Sequence, residues 1–371
     1  MTSESGKTID QGHGPADLAS IWGTPLTAIH CTQCERLHLV AGPDVPARCP
    51  YCAQASITVE PIYPRGESPE MLVPYAVSER NLDTILGRWA QGVPFRPADM
   101  DTRALSGRAA RYMIPVWLVD GRVLGVWRAD IGFDYQAVSY QDRYREGAGW
   151  QSRQVQETRT RWEPRMGQVD RRYENLPTPA LDGHQQLMKR LGSFDLSQRA
   201  EYRPEHVQQS VISAPSRTPE AARPEAEAAL ARACESDCLQ AAGADHIRDF
   251  ALEAAFGELH WTLLLLPAYV TWYREGEHDW PVMVNGQNGR VSGVKRASTK
   301  KATTVSLVLG GIALLLFVLG GSLALLGAVF PPGGAAGAVL LVLGVVTAIG
   351  APIPAIAAWT HNGRSELEDW L

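Results

Sequence analysis

Cys31, Cys34, Cys49 and Cys52 fall as C-x2-C, fourteen intervening residues, then C-x2-C. This is the spacing of a zinc ribbon: each C-x2-C knuckle delivers two thiolates to one ion, and four thiolates complete a tetrahedral Zn²⁺ site. The second knuckle reads Cys49-Pro50-Tyr51-Cys52, with Pro50 presetting the turn. Fewer than thirty residues enclose the four cysteines, too few for a self-supporting apolar core. A structural zinc, with an apparent binding energy of about 10–16 kcal/mol, supplies what the core does not. Four thiolates leave no open coordination position, so the spacing predicts one structural Zn²⁺ and no metal chemistry.

No other group of residues has the spacing of a catalytic or cofactor site. His184, His206, His246 and His260 are scattered without ligand spacing. Cys234 and Cys238 lie four apart on one face of a predicted helix, with no second pair to complete a metal site; they read as ordinary small helix residues. Ser5-Gly6-Lys7-Thr8 imitates the end of a phosphate loop, but the motif's first glycine falls on Met1 and no strand precedes it. There is no HExxH, no nucleophile elbow and no glycine-rich dinucleotide fingerprint. The expectation is therefore a protein without catalytic or cofactor-binding residues. Arg143–Arg172 holds eight arginines against four acids, with Trp150 and Trp162 interleaved. Such a segment serves as a phosphate- and base-binding surface or as a solvated sheet face. The polar alternation from Gln151 to Arg165 predicts a long, exposed hairpin and favours the solvated face.

Several elements must hold the cysteine module. Residues 1–27 are rich in Gly, Ser and Asp without periodicity and are expected to be disordered. The ribbon occupies 28–60 and a proline-containing linker follows. Residues 70–294 form a mixed α/β domain with β-hairpins. Leu82, Ile85, Leu86 and Trp89 give a helical period over Ser78–Gln91, with Ser78 or Asn81 as N-cap. Tyr112–Val119 reads as a strand turning at Asp120-Gly121 and returning over Arg122–Ile131. Leu263–Tyr273 reads as a second, turning at Arg274–Glu277, returning through Trp280–Val284 and turning again at Asn285–Gly289. Both units place a proline two residues before an aromatic, at Trp117 and Tyr269. An internal duplication or a chance match over a short segment would each give this. Alanine-rich sequence after Pro219 predicts a helix to Ala242, continuing in kind over Asp245–Phe256.

From Ala302 to Gly363 there is no Asp, Glu, Lys or Arg. Pro331-Pro332-Gly333-Gly334 divides the stretch into runs over 303–330 and 335–359. Each exceeds the ~20 residues that cross a bilayer core. At 1.5 Å per residue each reaches ~39 Å against a ~30 Å core, so tilt is expected. Lys295, Arg296, Lys300 and Lys301 precede the first run while the connection is uncharged, which places the large N-terminal part and the tail 360–371 in the cytoplasm. Met1–Leu18 has no apolar stretch of a secretion signal, and zinc-binding thiolates suit a reducing compartment. Small residues, Gly320 with Ala324 and Gly333 with Gly337, suit close packing of the spans on each other or between protomers of a homo-oligomer. No ionisable residue lies inside either run, which argues against an ion pathway. The net charge of -5 argues against a protein built mainly to hold nucleic acid.

The ribbon, the helix ending near Phe95-Arg96-Pro97, the Ile114-Pro115-Val116-Trp117 strand, the Leu266-Pro267 strand and Val284-Asn285-Gly286-Gln287-Asn288-Gly289-Arg290-Val291 occur in one order. Over residues 28–294 that order resembles the bacterial TFIIB-type zinc-ribbon-containing proteins, often labelled primosomal replication-restart helicases. The resemblance implies a cytoplasmic zinc-ribbon protein associated with membrane-stress assemblies; the helicase label fails because no phosphate loop follows a strand. The expected architecture is α+β: an N-terminal zinc ribbon, a mixed α/β cytoplasmic domain and a C-terminal two-helix transmembrane hairpin. The expected function is a non-enzymatic scaffold at the bacterial inner membrane that docks a protein partner. The alternative is a membrane-tethered nucleic-acid binder using the ribbon and Arg143–Arg172.

Overall fold

Among the described residues, eleven strands join in one sheet. The cysteine segment supplies β1 (Leu26–Cys31), β2 (Leu37–Ala41) and β3 (Ile57–Glu60). After them come β4 (Met71–Leu72), β5 (Ala110–Arg145), β6 (Gly149–Pro179), β7 (Ala200–Glu201), β8 (Ser210–Ser213), β9 (His246–Glu275), β10 (His278–Asn285) and β11 (Val291–Gly293). The helices are α1 (Pro15–Trp22), α2 (Glu79–Trp89), α3 (Thr102–Gly107), α4 (His184–Leu191), α5 (Pro219–Ala242) and, at the C-terminal end, α6 (Thr299–Leu326), α7 (Pro331–Gly350) and α8 (Ile353–Trp370). The structure, a computed structural model, describes residues 13–42, 45–147, 149–326 and 331–370.

The two prolines flagged by the sequence mark the centre of the sheet. β5 and β9 pair antiparallel, with Met113 opposite Pro267 and Pro115 opposite Leu265. On its other side β5 first takes β8 in parallel across Arg111–Met113, then β6 antiparallel from Val116. β9 repeats this, taking β4 in parallel at Leu264 and Leu265, then β10 antiparallel from Ala268. Each proline, lacking an N–H, falls where one neighbour gives way to the next, a place where no ladder bond is lost.

The helices repeat the relation. Ser78 stands at the N-cap position of α2 six residues after Leu72, and Thr218, whose hydroxyl accepts the Ala221 N–H, stands at that of α5 six residues after Ile212. Leu82, Leu86, Trp89 and Ala90 are buried in the first copy; Ala222, Ala226, Ala229 and Leu230 are buried at the matching positions of the second. Tyr269 Oη donates to the Val77 carbonyl at 2.7 Å, and Trp117 Nε1 to the Arg217 carbonyl at 3.1 Å. The N–H groups of Ala76 and Val77 reach the Gly286 carbonyl, as those of Ser216 and Arg217 reach Ala180. This pseudo-twofold arrangement is that of an internally duplicated strand–helix–hairpin unit, each copy lending its first strand to the other's sheet.

The copies differ in their hairpins. The second turns at Gly276 (φ +64°). The first is drawn out into an arm: β5 runs for 36 residues, on the order of 110 Å at strand rise, and β6 returns beside it from a turn at Glu146 and Gly147. The turn expected at Asp120-Gly121 is a bulge in the continuing strand. The Asp120 carboxylate accepts the Asn175 N–H at 2.7 Å, and a Cβ on Gly121 would lie 2.9 Å from Leu230 and Leu259. Gly121 thus lets α5 approach rather than reversing the chain. Arg143–Arg172, expected to carry its own hairpin, supplies the tip of β5, the turn and most of β6. Asp245–Phe256, expected as helix, is the start of β9. Gly243 (φ +59°) ends α5, and Phe250, Leu252, Ala254 and Phe256 alternate at strand period under α5 beside Leu230 and Cys234.

Within the stretch 1–27 expected to be disordered, Pro15–Trp22 form α1 and Leu26 begins β1. α1 buries Leu18 and Trp22 against Leu26, Leu39 and Ile212, and His13 bridges to Tyr63. Two large apolar side chains one turn apart were sufficient to dock this short helix. Residues 1–12, including Ser5–Thr8, lie outside the described residues.

At the C-terminal end, two helices, Thr299–Leu326 and Pro332–Arg364, are long and apolar enough to cross a membrane, and only 11% of each apolar window is buried. The loop expected at Pro331–Gly334 is already the first turn of α7, where proline costs no hydrogen bond. The expected second span breaks at Ala351-Pro352, and the expected tail, 360–371, continues α8 to Trp370. A Cβ on Gly320 would lie 3.0 Å from the Leu341 nitrogen, and one on Gly337 would lie 2.7 Å from the Gly320 carbonyl and collide with the Ala324 nitrogen. These small residues bring the backbones of α6 and α7 together.

Candidate metal centre

Each knuckle is built by the same backbone device. In the first, the Cys31 N–H reaches the Arg36 carbonyl and the Glu35 N–H reaches the Cys31 carbonyl; in the second, Cys49 pairs with Gln54 and Ala53 with Cys49. Glu35 (φ 56°) and Ala53 (φ 62°) both take the left-handed conformation that closes the turn. β1 pairs antiparallel with both β2 and β3, which brings the two knuckles face to face.

The four Sγ atoms lie within 4.8 Å of one another, with Cys31–Cys52 at 3.6 Å and Cys34–Cys49 at 3.7 Å. A tetrahedral ion at ~2.3 Å from each sulfur requires S···S separations of ~3.8 Å, so the donors fit such an ion. Cys31 and Cys49 are buried; Cys34 and Cys52 are half-buried. Hydrogen bonds from Cys49 and Cys52 hold the Cys34 thiol well below its ordinary range, while those contacts and burial push Cys49 up. A divalent ion among them would let all four ionise.

Sequence reasoning missed His38. It is fully buried on β2, with Nε2 3.5 Å from Cys49 Sγ and Nδ1 3.5 Å from the buried Tyr112 hydroxyl on β5. Burial lowers its pKa, so the ring is neutral and can donate one hydrogen bond to a thiolate. Its signal was a histidine at an inward position of Leu37-His38-Leu39-Val40, a run otherwise fit for burial.

Two arginines fasten the module to the rest of the sheet domain. Arg36 lies over the Tyr51 ring at 3.8 Å and donates to the Asp182 carbonyl. Arg48 pairs with Asp279, donates to the Ala53 carbonyl at 3.0 Å and stacks on Trp272, whose ring Arg108 also meets. β2 pairs with β8, so the cysteine strands are continuous with the central sheet.

The remaining sequence candidates are not brought together. Cys234 and Cys238 pack beside Tyr173 and Val123, and burial pushes the Cys238 thiol up to about 12, an inert state. His246 pairs with Asp134 at 3.0 Å on the arm, while His184 lies on α4 and His206 in a separate turn. Among the described residues, the four N-terminal cysteines are the one group of His, Cys, Asp and Glu side chains placed to hold a metal.

On the arm, strand alternation separates what the sequence interleaves. Arg153, Arg159, Arg161 and Arg165 occupy one face with Glu157 and Glu163; Trp150 and Trp162 occupy the other. Arg159 pairs with Glu157, and Arg161 and Arg165 both pair with Glu163. Over residues 120–172 and 245–262, eleven arginines meet twelve acids. No described protein family, curated protein or solved structure matches the chain.

Proposed function

We propose that this protein is a non-enzymatic, membrane-anchored zinc-ribbon scaffold, akin to the TFIIB-type zinc-ribbon proteins, whose cytoplasmic arm docks a protein partner. The closed Cys31, Cys34, Cys49 and Cys52 set holds one structural Zn²⁺ and fixes the ribbon to the sheet. The apolar helices anchor the chain in the inner membrane with both ends of the hairpin cytoplasmic.

The observation that carries the docking role is the aromatic face of the arm near its tip, where Asp142 is the charged residue between Tyr140 and Tyr144. Val138, Tyr140 and Tyr144 share it with Trp150, all exposed, and Tyr144 and Trp150 meet edge-to-face at 5.6 Å. Exposed aromatic residues in a row mark a surface for another protein. The nucleic-acid alternative needs free arginine beside tryptophan on one surface; here Arg159, Arg161 and Arg165 lie opposite Trp150 and pair with glutamates, and Arg248, which stacks on Trp162 at 4.1 Å, pairs with Asp130.

Photo-crosslinkers placed at Tyr140 and at Arg161 of the full-length protein in membranes test this. Crosslinks to protein from Tyr140 that survive nuclease and are absent from Arg161 are expected. Nucleic acid as the main companion, or equal labelling from both faces, would refute it. Reporter fusions at Leu371 and within Pro332–Gly334 should give opposite topological signals.

A further inference from the structure

A second concentration of charge lies where the sheet meets the apolar helices. A cavity of about 510 Å³ is lined by Trp89 of α2, Arg190 of α4, Arg290, Lys295 before α6, and His361 and Arg364 of α8. Three cations, Arg290, Lys295 and Arg364, and a histidine converge there from separate elements beside Arg190, and no carboxylate is among the described residues lining the cavity. Cations gathered around one concavity repel each other and focus a positive potential into it, which an anion relieves.

The groups are held in place. Arg290 donates to the Lys189 carbonyl at 3.3 Å and packs on Gly192, where a Cβ would lie 3.0 Å from its side chain. Lys295 sits 5.9 Å from the Trp89 ring centre, and its carbonyl accepts from His361 Nε2 at 3.0 Å. Asn362 clamps the entry to α6 onto α8 by accepting the Ala297 N–H at 2.7 Å and donating to the Ala297 carbonyl at 3.1 Å. Lys295 lies four residues before α6, and His361 lies two residues beyond the exposed Trp359. With the apolar helices in a bilayer, that level is the phosphate layer, where tryptophan also concentrates.

We infer that this cavity binds the phosphate of an anionic phospholipid headgroup and so holds the sheet domain against the membrane. Two guanidinium groups, Arg290 and Arg364, suit a phosphodiester through paired N–H bonds, and Lys295 and His361 place the cavity next to the ends of the apolar helices. The inference rests on the membrane-anchored reading.

Full-length protein in detergent is titrated with short-chain phosphatidylglycerol, short-chain phosphatidylcholine and inorganic phosphate, binding being read by native mass spectrometry and calorimetry. Phosphatidylglycerol should bind and phosphatidylcholine should not. R290Q/R364Q should weaken the former tenfold or more, and R364Q alone, at an exposed site with no role in packing, about threefold. Equal binding of both lipids, or indifference to R364Q in a folded protein, would overturn the inference. Inorganic phosphate binding as tightly as phosphatidylglycerol would replace the lipid with free phosphate. Carbonate extraction of native membranes reads the anchor separately: release of the wild-type chain sinks the membrane reading whatever the titrations show.

Discussion

Thiolates are costly neighbours unless a cation neutralises them, and Cys31, Cys34, Cys49 and Cys52 are within 4.8 Å of one another. Elemental analysis of the purified protein should give one zinc per chain; no stoichiometric zinc removes the metal reading. Changing any one of the four to Ser should abolish that stoichiometry while the protein still inserts into membranes. His38 tests the surroundings of the site. Its ring reaches Cys49 Sγ from the core side, so His38→Phe should keep the fold but loosen the metal. Partners of this kind typically contribute about 10–100-fold in affinity, so zinc loss to a chelator should shift by that order. An unshifted chelator titration would reduce His38 to packing alone.

Elements decide which of the charged residues can act together. A strand sends alternate side chains to opposite faces, so Arg159, Arg161 and Arg165 share a face with Glu157 and Glu163 while Trp150 and Trp162 point the other way. Neutralising Arg159, Arg161 and Arg165 should therefore leave any nucleic-acid binding and its salt slope almost unaltered. A slope shallower by about 0.7–0.9 per lost contact would instead identify phosphate ligands. In the apolar hairpin the decisive contact is Gly337 against Gly320 and Ala324. Gly337→Leu has no room and should destabilise the α6–α7 pair by about 1–3 kcal/mol, read as a lower Tm in detergent with zinc content unchanged.

At the scale of the whole molecule the cysteine strands are not a detached bead. β2 pairs with β8, β8 with β5, and Arg48 ties the second knuckle to Asp279 of the β9–β10 hairpin. Removing the metal should therefore lower hydrogen-exchange protection in β2 and in the paired residues Val211–Ser213 together, leaving the arm tip unchanged. Loss confined to residues 28–60 would show an independent domain instead. The pseudo-twofold core explains how one sheet serves both ends. From its shared centre one copy extends the arm, and the other ends where Tyr273 Oη donates to the Val294 carbonyl at the approach to α6. The arm tip thus lies at the far end of β5 from the residues that meet the apolar helices.

What was legible in the sequence was what local chemistry specifies. Two C-x2-C knuckles, the uncharged stretch from Ala302 to Gly363, the helix with Ser78 at its N-cap position and the turn at Asn285–Gly289 each declare themselves within a few residues. Tertiary structure decided the rest, because it depends on partners distant in the chain. Asp120-Gly121 reads as a turn until Leu230 and Leu259 are seen against the glycine, which make it a bulge under a helix. Asp245–Phe256 has the composition of a helix, yet α5 covers one side of it and rewards alternation instead. His38 joins the candidate metal centre only when the fold sets β2 near Tyr112 of β5, and the cationic cavity exists only when α2, α4 and α8 converge. The short proline–aromatic match became a duplication for the same reason: symmetry is a relation between paired strands, and pairing is not written in either strand alone.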